Sequence, residues 1–591
     1  MPPETRKTFD LVLIKPSHYD DDGYVIQWMR SAIPSNTMAA IYGLALDCID
    51  RQVLGRDVDI RISAYDETNT HVDARKIARA IRASGGNGLV ALIGVQTNQF
   101  PRAVALAHEF LAEGVRACIG GFHVSGCVSM LPEIPVDLRD AMASGISLFA
   151  GELEGRLDGL LEDAAAGSLK PLYDFVAELP ALSDRPTPYL PARVVGRMTE
   201  TRASFDAGRG CPFTCSFCTI INVQGHGSRF RTADDVERII RANVAQGITK
   251  FFITDDNFAR NSAWESHFDR IISLRNVLDV DLKLTVQVDT LCHKIPRFIE
   301  KAGRAGVEKV FIGLESINPD ALQSTGKTQN KITEYRAMLQ AWHAVNVVTL
   351  AGYILGFPND TPESILRDIR VIQRELPIDI LEFFMLTSLP GSQDHKDLCL
   401  RGARLEPDMN AYDSTHVTTP HPVMTDEEWL DVYRRAWSAY YTPEHVETVM
   451  RRARAWGSRI AKIKWIMLSY QSISHIENVH PLDGGLVRRK ARRDRRPGLP
   501  KENPIGFYPR FWWETVRKQA RLAAMYLRYE RTQRRVLREP PADLSEDIAM
   551  QPAGVGDLDD LELFRTTASA RTLADRAKHT AALRAVRAEG V

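Results

Sequence analysis

The chain is poor in cysteine, has no net charge and contains no long apolar run. Eight cysteines among 591 residues are too few for a disulfide scaffold, which points to the cytoplasm. No stretch approaches the roughly 18 consecutive apolar residues of a membrane-spanning helix. The opening MPPETRKTFDLVLIKP lacks the apolar core of a secretory signal. Its 75 basic and 75 acidic residues cancel to a formal charge of zero. What remains is ordinary for a soluble globular protein: 44% hydrophobic and 25% charged residues, in a length that suggests about two to four domains, each with its own core. One feature is unusual. Three of the eight cysteines fall within eight residues, at Cys211, Cys215 and Cys218.

Residues 1–185 alternate between short apolar runs and helical periodicity. Leu11–Ile14, Val58–Ile62, Leu89–Val95 and Val115–Ile119 read as strands. Helical stretches over 36–54, 75–81 and 103–111 separate them. The run at Leu89–Val95 is apolar throughout, as expected of a strand covered on both faces. The pattern predicts a doubly wound parallel sheet. Ligands bind beyond the carboxyl ends of such strands, which puts Gly120, Gly121, Phe122 and His123 on the candidate binding edge. The plainer reading is that the two glycines only make a tight turn.

A second alternating block, 195–420, offers six strands: 204–206, 250–254, 284–288, 310–313, 348–355 and 380–386. The clearest helix between them starts at Thr232, a plausible N-cap with Asp235 three residues on, and stops near Gly247. Six strand–helix units predict a partial (β/α)6 TIM-like barrel with its chemistry in the loops after the strands. Beyond about residue 420 the pattern becomes mainly helical. Residues 421–591 include a basic run, Arg488–Arg496, then aromatics at Phe507–Trp513, a basic helix to about Glu539 and a polar, Ala-rich tail.

The segment Gly208-Arg209-Gly210-Cys211-Pro212-Phe213-Thr214-Cys215-Ser216-Phe217-Cys218 follows the first strand of the second block. Three thiolates at this spacing can wrap a zinc ion or an iron–sulfur cluster from one loop. A closed zinc site needs a fourth ligand, which the isolated Cys48, Cys118, Cys127, Cys292 and Cys399 do not supply as a pair; His226 is the candidate to complete it. Three ligands on a four-iron cluster would instead leave one iron open.

On these residues the sequence resembles the radical S-adenosylmethionine (SAM) superfamily, whose hallmark is C-x3-C-x2-C with an aromatic, here Phe217, before the last cysteine. The resemblance implies a [4Fe-4S] cluster on Cys211, Cys215 and Cys218, its open iron chelating SAM. Lys250–Phe258 resembles the second-strand motif, placing Asp255 and Asp256 near the methionine amino group in place of the more common Gly-Gly-Glu. Val310–Ser316 resembles the fourth-strand motif, with Glu315 toward SAM, and Gly352–Pro358 the fifth-strand motif, with Gly352 and Gly356 flanking adenine. Gln287 on the third strand joins this SAM-facing set. Cys118–Ser125 resembles the Gly-Gly-x-His turn of the superfamily's cobalamin-binding class, and Phe149–Glu154 resembles its closing Gly-Glu motif. Gly120, Gly121 and His123 are then the implied cobalamin contacts. The chain lacks D-x-H-x-x-G, so no histidine of that motif would be a lower ligand.

The resemblance implies an enzyme: a cobalamin-dependent methyltransferase acting on an unactivated carbon of a small-molecule or lipid substrate, fed by an external electron donor such as flavodoxin or ferredoxin. The alternative is a corrin-free radical SAM enzyme that performs cyclisation or rearrangement. A methylthiotransferase would need three further cluster cysteines in the first domain, and enzymes with auxiliary clusters need more cysteines after the barrel; both fail by counting. The basic run could bind nucleic acid or touch an anionic membrane surface. The favoured reading is a solvated or internally paired segment, which leaves nucleic acid disfavoured and peripheral membrane contact open.

Overall fold

The computed structural model describes residues 7–540, 546–551, 558 and 561–589. Two six-stranded parallel sheets carry the chain. The first has strands β1 (Lys7–Lys15), β3 (Val58–Asp66), β4 (Gly88–Leu92), β5 (Arg116–Gly120), β6 (Ser147–Ala150) and β7 (Leu172–Asp174), in the order β3-β1-β4-β5-β6-β7. The reversal beside β1 is that of a doubly wound sheet. Helices cover both faces, so β4 is buried along its whole length. Strands β6 and β7 extend this sheet beyond the four read from the sequence; both are very short, and four or fewer residues give little periodicity to detect.

Between β1 and β3 lies β2 (Gln27–Ser31), which pairs antiparallel with a distant strand described below. The second sheet holds β8 (Arg202–Phe205), β11 (Lys250–Ile253), β12 (Lys283–Val288), β13 (Val307–Glu315), β14 (Val348–Leu355) and β15 (Ile380–Met385), laid down in chain order. All pairings are parallel. A small ladder of β9 (Gly208–Arg209) and β10 (Arg229–Phe230) interrupts the connection after β8. Alternate residues of each strand point outward into the main core, for example Phe205, Phe251, Leu284, Ile312 and Phe383. Their neighbours face the lumen of a partial barrel. The helix at Ala233–Val244 begins with the expected capping box, Thr232 with Asp235.

The C-terminal region is mainly helical, and it is attached to both sheets. Helices Asp426–Tyr440 and Ile460–Ser472 pack on β15, and the Tyr441 hydroxyl donates to the Leu381 carbonyl at 2.9 Å. The basic run is no helix. Its first two residues end β16 (Gly485–Arg489), the partner of β2. Four of its seven cations are paired: Arg488 bonds Asp20 at 3.0 Å, Lys490 bonds Asp22 at 2.9 Å, Arg495 lies 3.7 Å from Glu502, and Arg496 pairs with Asp408. The run is thus in good part an internally paired segment, the favoured reading of the sequence. The helix Ala568–Glu589 follows, with Ala570 and Ala574 buried in the main core; part of the Ala-rich tail lies outside the described residues. No helix among the described residues is long and apolar enough to cross a membrane.

Candidate functional site

The three clustered cysteines stand at the carboxyl-terminal mouth of the barrel, where β8 gives way to the loop closed by β9 and β10. The loop crosses itself at Gly210. A Cβ there would lie 2.3 Å from the Gly227 carbonyl oxygen, and φ is +92°, so only glycine fits. The Cys211 amide donates to the Gly225 carbonyl at 3.2 Å, closing the loop base. The Cys218 amide donates to the Cys215 carbonyl at 3.1 Å, which draws those two residues into one turn. A second loop braces the first: the Ser216 amide donates to the Thr325 carbonyl at 3.0 Å, and Gln329 Nε2 lies 3.6 Å from Cys215 Sγ. Burial pushes the Cys211 thiol up and the Cys218 thiol to about 12, so both must lose protons to a metal on binding. Among the described residues, no three His, Cys, Asp or Glu side chains converge on a single-ion site, and His226 is exposed. The loop therefore fits a cluster that spans several thiolates better than a zinc ion completed by His226.

The base of this loop is clamped by charge. Arg209 bonds Asp206 at 3.0 Å, Glu152 at 2.6 Å and Glu154 at 2.6 Å. Arg229 also holds Glu152, through two bonds, and Arg231 reaches Asp206. Three carboxylates thus meet three guanidiniums in a largely buried knot. Burial opposes ionisation of Glu154 and Asp206, but the adjacent arginine charges outweigh it and hold both below the usual carboxylate range. Glu152 and Glu154 follow β6, so the closing Gly-Glu motif of the first sheet grips the cysteine loop of the second. The sequence placed that motif but gave no sign of its partner.

Four of the expected SAM-facing residues sit on the barrel rim around the thiols. Asp256 is open to solvent yet ringed by protein, and this crowding raises its carboxyl pKa. Glu315 ends β13 at a β-bulge with φ +61°, a left-handed conformation costly for a non-glycine residue. Its carboxylate pairs with Lys327, and the pair lies over Gly313, where a Cβ would come within 2.6 Å of Glu315 Oε1. Lys327 Nζ stands 5.7 Å from the Phe217 ring centroid. Phe217 in turn packs with Ile354, Phe357, Phe384 and Leu386 as an apolar wall. Gln287 Nε2 donates to the Asp255 carbonyl at 3.3 Å, across the third and second strands.

Asp255 turns inward instead. Its carboxylate accepts from the Ala207 amide at 2.7 Å and from Asn261 Nδ2 at 2.8 Å, anchoring the approach to the cysteine loop. Burial pushes its carboxyl up to about 7. The glycines of the fifth strand serve packing: a Cβ on Gly352 would meet the Phe311 ring at 2.9 Å, and one on Gly356 would meet the Trp429 indole at 2.0 Å. Lower in the lumen, Glu382 lies in register with Gly352 and Gly313. It is fully buried, neither oxygen has a hydrogen-bond partner, and burial raises its carboxyl to about 8. Nothing in the sequence distinguished it from the other acids.

The expected cobalamin contacts are used by the first domain itself. The helix Phe122–Met130 starts directly after Gly121, whose Cβ would fall 2.2 Å from the Val95 amide nitrogen. His123 is buried with both ring nitrogens engaged, Nε2 with Asp137 at 2.9 Å and Nδ1 with Thr97 at 3.3 Å. Gly120 packs on Phe149 of β6. These three residues also hold the domain's own loops together. The same helix lies directly on the barrel: a Cβ on Gly126 would meet the Pro390 carbonyl at 2.6 Å, and Ser129 donates to the Asn222 carbonyl at 2.6 Å.

Comparison with known proteins agrees with this geometry. Residues 207–372 match the family model described as the radical SAM superfamily. The chain is 27% identical over 333 residues to a bacteriochlorophyllide d C-12(1)-methyltransferase of Chlorobaculum tepidum, covering 55% of this chain and 69% of that one. It is 23% identical over 381 residues to a hopanoid C-2 methylase of Rhodopseudomonas palustris, covering 61% and 68%. Among solved structures, the cobalamin-dependent S-adenosylmethionine radical enzyme OxsB in its apo form shares the fold over 97% of this chain and 84% of its own, with TM-score 0.52 and 13% identity. The radical S-adenosylmethionine methyltransferase TsrM of Kitasatospora setae aligns with 67% of this chain and 76% of its own, with TM-score 0.50 and 15% identity. The cysteine loop at the mouth of a six-stranded partial barrel lies inside the matched segment, and residues 207–372 are a radical SAM domain.

Proposed function

We propose that this chain is a cobalamin-dependent radical SAM methyltransferase that methylates carbon in a small, largely apolar molecule. The observation that carries the reading is the cysteine loop at the barrel mouth, bolted by Arg209 and Arg229 to Glu152 and Glu154 of the doubly wound domain. Cys211, Cys215 and Cys218 would hold the cluster, with the Gln329 amide donating toward the Cys215 sulfur. A four-iron cluster held by three thiolates supplies an open iron for SAM and the electron for its cleavage. Asp256 and the Glu315–Lys327 pair offer charge of both signs to the amino acid end of SAM, and Gln287 offers an amide. Phe217, Ile354, Phe384 and Leu386 give an apolar wall, in keeping with the bacteriochlorophyllide and hopanoid acceptors named for two relatives.

Cobalamin supplies methyl-carrying chemistry when bound. Its assignment here is supported by the doubly wound domain and by relatives and neighbours named for it, among them TokK of Streptomyces tokunonensis. An external one-electron donor such as flavodoxin or ferredoxin completes the reaction, in the cytoplasm, where the eight unpaired cysteines stay reduced. The test is anaerobic reconstitution with iron, sulfide and hydroxocobalamin, followed by electron paramagnetic resonance of the cob(II)alamin form. The proposal expects about one corrin per chain and cobalt lines free of nitrogen triplet splitting, because His123 is engaged elsewhere. Triplets would refute the absence of a nitrogen ligand. A chain that retains no corrin would leave a corrin-free radical SAM enzyme performing cyclisation or rearrangement.

A further inference from the structure

The helix Pro504–Arg538 runs for 35 residues and buries one narrow stripe, Phe507, Tyr529, Thr532 and Val536. Its outer side is unusual. Ile505, Tyr508, Trp512 and Val516 recur at three- and four-residue spacing and so line one face. Ile505 is 83% exposed, Trp512 63% and the adjacent Trp513 69%. Trp465, also exposed, stands against Tyr526 of this helix with ring centroids 5.6 Å apart. Large apolar side chains gathered on one open surface mark an interaction site.

A second stripe begins one turn beyond Trp513, on the side away from Ile505 and Tyr508. Arg517, Arg521 and Arg528 are exposed and have no ion pair among the described residues. The helix has two acids, and neither opposes that stripe: Glu514 lies against Arg510, while Glu530 holds Lys464 and Arg534. The outer face therefore presents aromatic and aliphatic groups beside unpaired cations, with no exposed acid. We propose that this face docks on an anionic phospholipid surface, with the helix lying in the plane of the interface.

The composition decides between occupants. Tryptophan and tyrosine suit the boundary between headgroup and acyl chain, and arginine reaches lipid phosphates with its fork. A nucleic acid would use the cations but gain little from Ile505 and Val516. A second copy joined about a twofold axis would bring the arginine stripe toward its own image. In the basic run at 488–496, the other cationic segment nearby, Arg488, Lys490 and Arg496 are already paired with Asp20, Asp22 and Asp408.

The experiment uses the full, anaerobically reconstituted chain in flotation with phosphatidylcholine vesicles with and without phosphatidylserine. Two variants accompany it, Trp512→Ala/Trp513→Ala and Arg517→Glu/Arg521→Glu. These side chains are exposed, so iron content and circular dichroism should match the parent. The expected result is at least about tenfold stronger binding to the phosphatidylserine vesicles, weakened by salt and lost in both variants. Equal binding to the two vesicle types, or binding unchanged in the variants, would overturn the proposal. So would a dimer in light scattering that Trp512→Ala/Trp513→Ala dissolves while no vesicle is bound, because the face would then belong to a second copy.

Discussion

Replacing Arg209 by methionine tests whether the clamp between the two sheets is structural in the sense described. Arg209 is one of three guanidiniums facing Asp206, Glu152 and Glu154. Its removal turns a balanced knot into one with an uncompensated carboxylate. Breaking a buried pair this way costs about 3–5 kcal/mol. The unfolding midpoint in urea should fall accordingly. Urea titration followed by tryptophan fluorescence reads this directly, and iron retained against a chelator reports the loop itself. The pH dependence has a definite sign. Glu154 and Asp206 are depressed in the folded state, so their stabilisation is present above the ordinary carboxylate range, about pH 4, and is lost as pH falls through their folded values. The gap between parent and Arg209→Met should therefore shrink on acidification. Arg209→Met/Glu154→Gln, which rebalances the charge, should recover part of the loss. A variant with an unchanged midpoint and full iron retention would refute the reasoning.

Three further outcomes are expected. Asp256→Asn and Glu315→Gln should weaken SAM binding about ten- to a hundredfold in calorimetry while iron content holds, the value of one charged hydrogen bond; unchanged affinity in both would mean that they only solvate the rim. Gly356→Ala should destabilise the fold, because φ is +102° and its Cβ would enter the Trp429 indole, and adding Trp429→Phe should recover part of the thermal midpoint; a fully stable Gly356→Ala would contradict this packing. Glu382 is held neutral, with burial raising it to about 8, so the parent loses stability as pH rises from about 4 toward 8. Glu382→Gln should be the more stable chain at pH 7 and lose that advantage near pH 4, and denaturation curves at both values check it.

The parts of the fold legible in the sequence are those with local signals. The strands of the barrel announce themselves because their outward residues, Phe251, Leu284 and Ile312 among them, recur in short apolar segments between capped helices. The cysteine loop is legible because its ligands lie within eight residues. Contacts between distant segments are not. Glu152 and Glu154 meet Arg209 and Arg229 across more than fifty residues, and β2 finds β16 across more than four hundred. The acids that pair with the basic run, Asp20, Asp22 and Asp408, were not legible for the same reason: they are remote in sequence. Asp255 and Asp256 are neighbours with opposite fates, one anchored to Ala207 and Asn261 and the other open to the mouth. Strand alternation predicts that they diverge, but not which one a ligand meets.

The central claim is a cluster on Cys211, Cys215 and Cys218. Quantifying iron and acid-labile sulfide after anaerobic reconstitution tests it most directly, in the parent and in a variant with all three cysteines replaced by alanine. About four irons and four sulfides per parent chain are predicted, with neither retained by the variant and no reductive cleavage of SAM in it. A triple variant that keeps its full iron content would contradict the account.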